Sequence, residues 1–266
     1  MKRLLAAAGL AFALVPAAAA AREPEGVVQH LAPPAALDPA KAYLLFDSSR
    51  AKSGLFKISH VLMRVPRQDE MDAFLAAKRI AYAKDLPKLT RAAKGGPVTS
   101  FEDYFFAWKG GQNIFAVDMD ETLGASDTFL IEVPPGTYVL YGIAVVRQVL
   151  ATCNCLGTVQ FEAAPGRITQ MGSLFADKVH EESPVPHLED NLGPQMAQYG
   201  FVLGQALVPA TAETPVPPAL AGFPRALAAY SPVGPFHEPG AASINRLAPI
   251  PGVLAYDRGR VVATGR

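Results

Sequence analysis

Cysteine is scarce: two residues in a chain of 266. A small fold held together by disulfides is thereby excluded, and a chain of this length can bury a core without such staples. An excess of either charge is also missing, since 24 Lys and Arg stand against 24 Asp and Glu. That balance leaves no basic patch for nucleic acid and no acidic or basic tail. Long apolar runs are absent after the first fifteen residues, so no later segment is expected to cross a membrane as a helix. No G-x-S-x-G stretch occurs, and Ser, His and Asp are scattered, so no covalent triad is legible. Proline and glycine are plentiful instead, 24 and 22 residues. They predict many turns and few long helices.

The N-terminus carries a distinct signal. Lys2 and Arg3 precede the apolar run Leu4–Val15, and Pro16 and the alanines at 17–21 come after it. These are the three parts of a secretory signal with small residues at the cleavage site, and the apolar run is too short to span a bilayer comfortably. Residues 1–21 are therefore expected to be removed, placing the protein in the periplasm or outside the cell. No cysteine follows the run, which argues against a lipid anchor. The mature chain is expected to start near Arg22, with 22 basic and 24 acidic residues. It reads as one domain, 22–266.

After a Pro- and Ala-rich lead-in at 22–40, "AYLLFDSS" (42–49) and "LFKISHVLMRV" (55–65) read as two strands joined by a loop. A helical insertion is expected over about 68–94. Met71, Phe74, Leu75 and Lys78 follow the i, i+3, i+4, i+7 spacing, and Asp69, Glu70 and Asp72 suit the first turn. Pro87 is expected to break or kink it. Lys84, Lys88, Arg91 and Lys94 form a basic face, read as solvated, with contact to anionic envelope components as the alternative. From 101 onward come "DYFFAWK", "NIFAV", "TFLIEV", "TYVLYGIAVV", "TVQFEAA" and "RITQMGSLF", short β-rich segments parted by turn signals. Residues 129–142 and 159–172 align at an offset of 30, matching Glu132 with Glu162, Pro135 with Pro165, Gly136 with Gly166 and Gly142 with Gly172. Both are read as strand–PG turn–strand hairpins, the Pro and Gly supplying the two central residues of a type II turn. "YGFVLGQALVPA" predicts a further strand. A segment at about 209–250 holds too much proline for regular structure and is expected to wrap the surface. "GVLAYDRGRVVATG" (252–265) predicts a closing hairpin turning at Asp257-Arg258-Gly259.

Residues 114–126, "IFAVDMDETLGAS", hold the one stretch that spells a reaction. An apolar run followed by Asp-x-Asp-x-Thr resembles the first motif of the haloacid dehalogenase-like phosphatases. The resemblance implies a magnesium enzyme, with Asp118 as nucleophile and Asp120 as general acid/base. It covers only about 114–122. That motif sits in a parallel sheet whose strands alternate with helices, whereas the residues after Asp120 read as strands parted by turns. The later Ser/Thr, Lys and paired-acid motifs are missing as well. The segment is therefore read as a strand with an acidic end, flanked by antiparallel strands, and the magnesium phosphatase is kept as the alternative.

Three further groups are candidates. Cys153 and Cys155, in "ATCNCLG", are expected to be bonded to each other in an oxidising compartment, with free thiols or a redox pair as alternatives. Their Cα atoms in a straight strand would lie roughly 6.5–7 Å apart, near the upper limit for a disulfide, so a kink at Asn154 is expected. His180, Glu182, His187 and Asp190 share one polar loop, read as solvated. Metal binding there is the alternative, although the histidines lack the spacing of a zinc helix.

The PG segments "PPGTYVLYGIA" and "VQFEAAPGRITQMGSL" resemble those of exported bacterial β-sandwich proteins of uncharacterised function, over 128–175. The resemblance implies no catalytic residues. The fold expected is mainly β, an antiparallel sandwich of transthyretin- or immunoglobulin-like kind, with the helical insertion and the Pro-rich tail. The function expected is a non-enzymatic envelope protein that needs no cofactor and binds an envelope protein or cell-surface component.

Overall fold

The structure is a computed structural model, and it describes residues 27–28, 30–49, 58–107, 113–117, 127–145, 149–178, 203–236 and 243–263. Among these residues two β-sheets, mostly antiparallel, and one α-helix make up the fold, with a small separate hairpin. The strands are β1 (Val27–Val28), β2 (Ala42–Ser49), β3 (Ile58–Arg64), β4 (Ile114–Val117), β5 (Thr128–Val133), β6 (Gly136–Val145), β7 (Val149–Cys153), β8 (Thr158–Ala163), β9 (Ile168–Lys178), β10 (Leu203–Pro209), β11 (Arg225–Leu227), β12 (Ser231–Val233), β13 (Ser243–Ile244), β14 (Leu254–Asp257) and β15 (Arg260–Ala263). The larger sheet runs β1-β4-β3-β6-β7-β13, and β8 joins it beside β6 with β12 on its outer side. The smaller runs β10-β9-β2-β5, with β11 also on β9.

One apolar core lies between them. Leu44, Phe46, Phe129 and Ile131 from the smaller sheet meet Leu62, Phe115, Tyr138, Leu140 and Phe161 from the larger. Strand alternation explains why neighbours in sequence part company: Leu44 and Phe46 face this core, while Tyr43 and Leu45 face outward. That outer face is covered too. Leu31 and Leu37 of the lead-in and Val216, Leu220 and Phe223 of the Pro-rich segment pack on it. The described part of that segment is more regular than its proline content predicts, since it holds β11, β12 and a 3-10 turn at Pro218–Leu220.

The two PG segments are not hairpins. β5 belongs to the smaller sheet and β6 to the larger, and β8 and β9 are likewise split. Each PG turn is a corner that carries the chain across the core, the first one way and the second back. A turn sequence sets the local dihedrals, but it does not decide which ladder takes the next strand. The Tyr138 hydroxyl fastens the first corner by donating to the Pro134 carbonyl at 2.6 Å. The alignment at offset 30 nevertheless marks a real correspondence. Gly142 and Gly172 each follow a β-bulge, at Tyr141 in β6 and at Met171 in β9. Both take positive φ, 159° and 107°.

β4 has an antiparallel neighbour in β3 and a parallel one in the two-residue β1. The expectation of antiparallel strands on both sides is corrected. "DYFFAWK" forms no strand among the described residues, and its Tyr104 and Phe106 are used against the helix instead.

The helix α1 (Gln68–Ala92) is not broken by Pro87. None of its side chains is buried, so the apolar stripe predicted at 71–78 does not dock on a sheet. It is backed by the segment at 97–107. Phe74 meets Phe106 with ring centroids 5.9 Å apart, Tyr82 meets Phe101 and Tyr104, and the Lys78 ammonium sits 4.9 Å from the centre of the Phe101 ring. The Tyr104 hydroxyl donates to Asp85 at 2.8 Å. Arg64, at the end of β3, ties the base of this arm by donating to Glu70 and to the Asn113 side chain, both at 2.7 Å. Among the described residues no helix is long and apolar enough to cross a membrane.

Candidate functional site

Among the described residues the most concentrated polar chemistry lies inside the core, where side chains from both sheets and one turn form a chain of hydrogen bonds. Ser48 on β2 lies 2.8 Å from His60 Nε2 on β3. His60 Nδ1 lies 2.7 Å from Gln205 Nε2 on β10. Gln205 Oε1 accepts from Asn154 Nδ2, in the turn between β7 and β8, at 2.6 Å. Asn154 Nδ2 also donates to the Leu140 carbonyl on β6 at 3.1 Å, and Thr158 Oγ1 donates to that same carbonyl at 2.7 Å. All of these polar residues are buried, His60 with 2% of its surface exposed.

The Leu140 carbonyl fixes the direction of the whole relay. A carbonyl oxygen only accepts, so the Asn154 amide must turn its nitrogen toward it. That nitrogen then meets Gln205 Oε1, which leaves Gln205 Nε2 as the donor to His60 Nδ1. His60 is thereby held neutral with its proton on Nε2, and that proton goes to Ser48 Oγ. Burial acts in the same direction, pulling the His60 pKa from 6.5 down to about 4. The ring edge also meets Phe46 in a T-shaped contact, centroids 6.3 Å apart.

This polarity has a chemical consequence. A histidine that activates a serine must present an unprotonated nitrogen to the hydroxyl. Here Nε2 is the donor, so His60 braces Ser48 and does not act as its base. The relay joins the two sheets by polar contacts with set directions. It is not fully satisfied, since Asn154 Oδ1 is buried without a hydrogen-bond partner.

Of the residues singled out by the sequence, Cys153 and Cys155 are side by side and buried, with Cα atoms 5.2 Å apart, inside the range of a disulfide. β7 ends at Cys153, so the strand stops where the kink is expected, and Asn154 between the cysteines is the anchor of the relay. Asp118 and Asp120 lie outside the described residues, as do His180, Glu182, His187 and Asp190. Among the described residues no three His, Cys, Asp or Glu side chains come together as a metal site.

The sequence alone does not disclose the relay. Its signal is a polar residue inside an apolar strand: His60 in "ISHVLM" and Gln205 in "LGQALV". Their pairing is not legible there, because 145 positions separate them. No protein-family model, curated protein or solved structure matches the chain.

Proposed function

We propose that the protein is an exported, non-catalytic binding or structural module of the cell envelope, built as a transthyretin- or immunoglobulin-like β-sandwich. Two sheets sharing one core support the sandwich. The observation that carries the binding role is the arm formed by α1 and residues 97–107. A 25-residue helix with no buried side chain contributes little to the core it stands beside. The arm presents Ile80 on the helix and Phe105 on the adjoining segment at 73% and 75% exposure, with Met71, Leu75 and Leu86 also exposed. Large apolar side chains held in the open on a braced element are the usual material of a contact surface. The partner is an envelope protein or a cell-surface component.

The test is capture from envelope extract on immobilised mature protein, beside a variant carrying Ile80→Asp and Phe105→Asp. The captured partner is expected to be lost in the variant while its melting temperature stays within about 2 °C of the parent, since exposed positions carry little stability. Equal capture by both proteins would remove the arm from the function. Magnesium-dependent phosphatase turnover that disappears in Asp118→Asn would overturn the non-catalytic reading itself.

Within this reading Cys153 and Cys155 are bonded to each other. Both residues are buried, which suits a structural role and not an exchanging redox pair. Intact mass after alkylation without reductant is expected to show no modified thiol, and two modified thiols would refute the bond. Replacing both by Ala is expected to leave the chain folded, because a ring this small removes little entropy from the unfolded state.

A further inference from the structure

Arg246 follows β13 and is buried, with 8% of its surface exposed. Its backbone is held on both sides. The Arg246 N–H donates to Asn245 Oδ1 at 2.8 Å, and the Leu247 N–H donates to the Gly157 carbonyl at 2.9 Å. Its side chain is held by stacking, the guanidinium carbon lying 4.2 Å from the centre of the Tyr256 ring on β14. Tyr256 is locked in turn, its hydroxyl donating to the Leu247 carbonyl at 2.7 Å. Nη1 is out of reach of solvent and has no hydrogen-bond partner, and Arg246 forms no ion pair among the described residues.

An unpaired buried charge is costly, and a stack on one aromatic ring offsets only part of that cost. Stacking also leaves the guanidinium no freedom except to bond in its own plane, along the N–H edge. A planar fork of donors held rigid and left unfilled matches an oxyanion with two coplanar oxygens. We propose that Arg246, stacked on Tyr256, is the anchor of a binding site for an oxyanion, a carboxylate or a phosphate group, where residues 245–247 meet the β14–β15 hairpin.

The test is calorimetric titration of the mature protein with sodium phosphate and, separately, sodium acetate, against sodium chloride at matched ionic strength. One anion is expected to bind saturably at one per chain, and whichever does so identifies the group. Arg246→Met is expected to abolish this binding while the ligand-free variant melts no lower than the parent, because the unpaired charge is gone. Arg246→Lys keeps the charge without the fork and is expected to bind about tenfold more weakly. It also decides the matter should the Met variant fail to fold. Arg258→Met, on the exposed turn of the hairpin, is expected to bind as the parent does. Saturable binding of neither anion overturns the proposal. So does unchanged binding in Arg246→Met or Arg246→Lys.

Discussion

Gly172→Ala is expected to lower the stability of the protein by about 3–5 kcal/mol and its melting temperature by roughly 10 °C. Two effects add. Gly172 has φ 107°, a conformation that costs a residue with a Cβ about 1–3 kcal/mol. A Cβ there would also lie 2.1 Å from the Val208 carbonyl oxygen and 2.5 Å from the Ala210 nitrogen, both backbone atoms of the adjoining chain. No rotamer relieves that contact, so β10 would have to move away from β9. Gly166→Ala is the control. Its φ is also positive, 68°, but the nearest atom to an added Cβ is Pro39 Cα at 3.5 Å, an ordinary contact. That change is expected to cost only about 1 kcal/mol. Thermal and urea unfolding followed by circular dichroism would separate the two. A Gly172→Ala protein within about 1 kcal/mol of the parent would mean that β10 does not press on the bulge of β9.

The matched glycines at 142 and 172 are visible in the sequence as an echo, and the echo does mark equivalent backbone. Gly142 repeats the geometry, since an added Cβ would lie 2.1 Å from the Thr152 carbonyl. Their setting is not visible there. β-branched and aromatic segments predict the strands because propensity is local, and the two-residue turn at Arg258-Gly259, both with positive φ, suits a tight hairpin for the same reason. The sheet to which each strand belongs depends on contacts distant in sequence, and so the PG corners read as hairpins. The helix shows the same limit. Its period is legible, while Phe74 and Lys78 of its stripe meet the aromatic segment beside it and Met71 and Leu75 stay exposed. The relay is least legible, because each member is unremarkable until Asn154, Gln205, His60 and Ser48 are brought to one place.

That relay predicts a pH dependence of stability. The folded chain holds His60 neutral down to a pKa of about 4, whereas the unfolded chain takes up the proton near 6.5. Between those values the unfolded state binds more protons than the folded one, so stability falls as pH is lowered through the window. Above pH 6.5 His60 adds no slope. By pH 4 the accumulated loss is about 3 kcal/mol, since each unit of displacement is worth about 1.4 kcal/mol. The structural cause is specific. A proton on Nδ1 would face Gln205 Nε2 at 2.7 Å, donor against donor, and Gln205 has no freedom to flip while Asn154 holds its oxygen. The other groups touching the ring, Ser48, Gln205 and Phe46, do not titrate there, so within the relay the slope belongs to His60. His60→Gln removes the titrating group and leaves carboxylates elsewhere unchanged. It is expected to be less stable than the parent at pH 7.5 by about 2–4 kcal/mol, because an imidazole-shaped gap and imperfect partners remain in a closed core. Its stability is expected to change less between pH 6.5 and 4.5 than that of the parent. Urea unfolding at half-unit pH steps would show the difference, and parallel curves for the two proteins would mean that His60 is not held neutral by this relay.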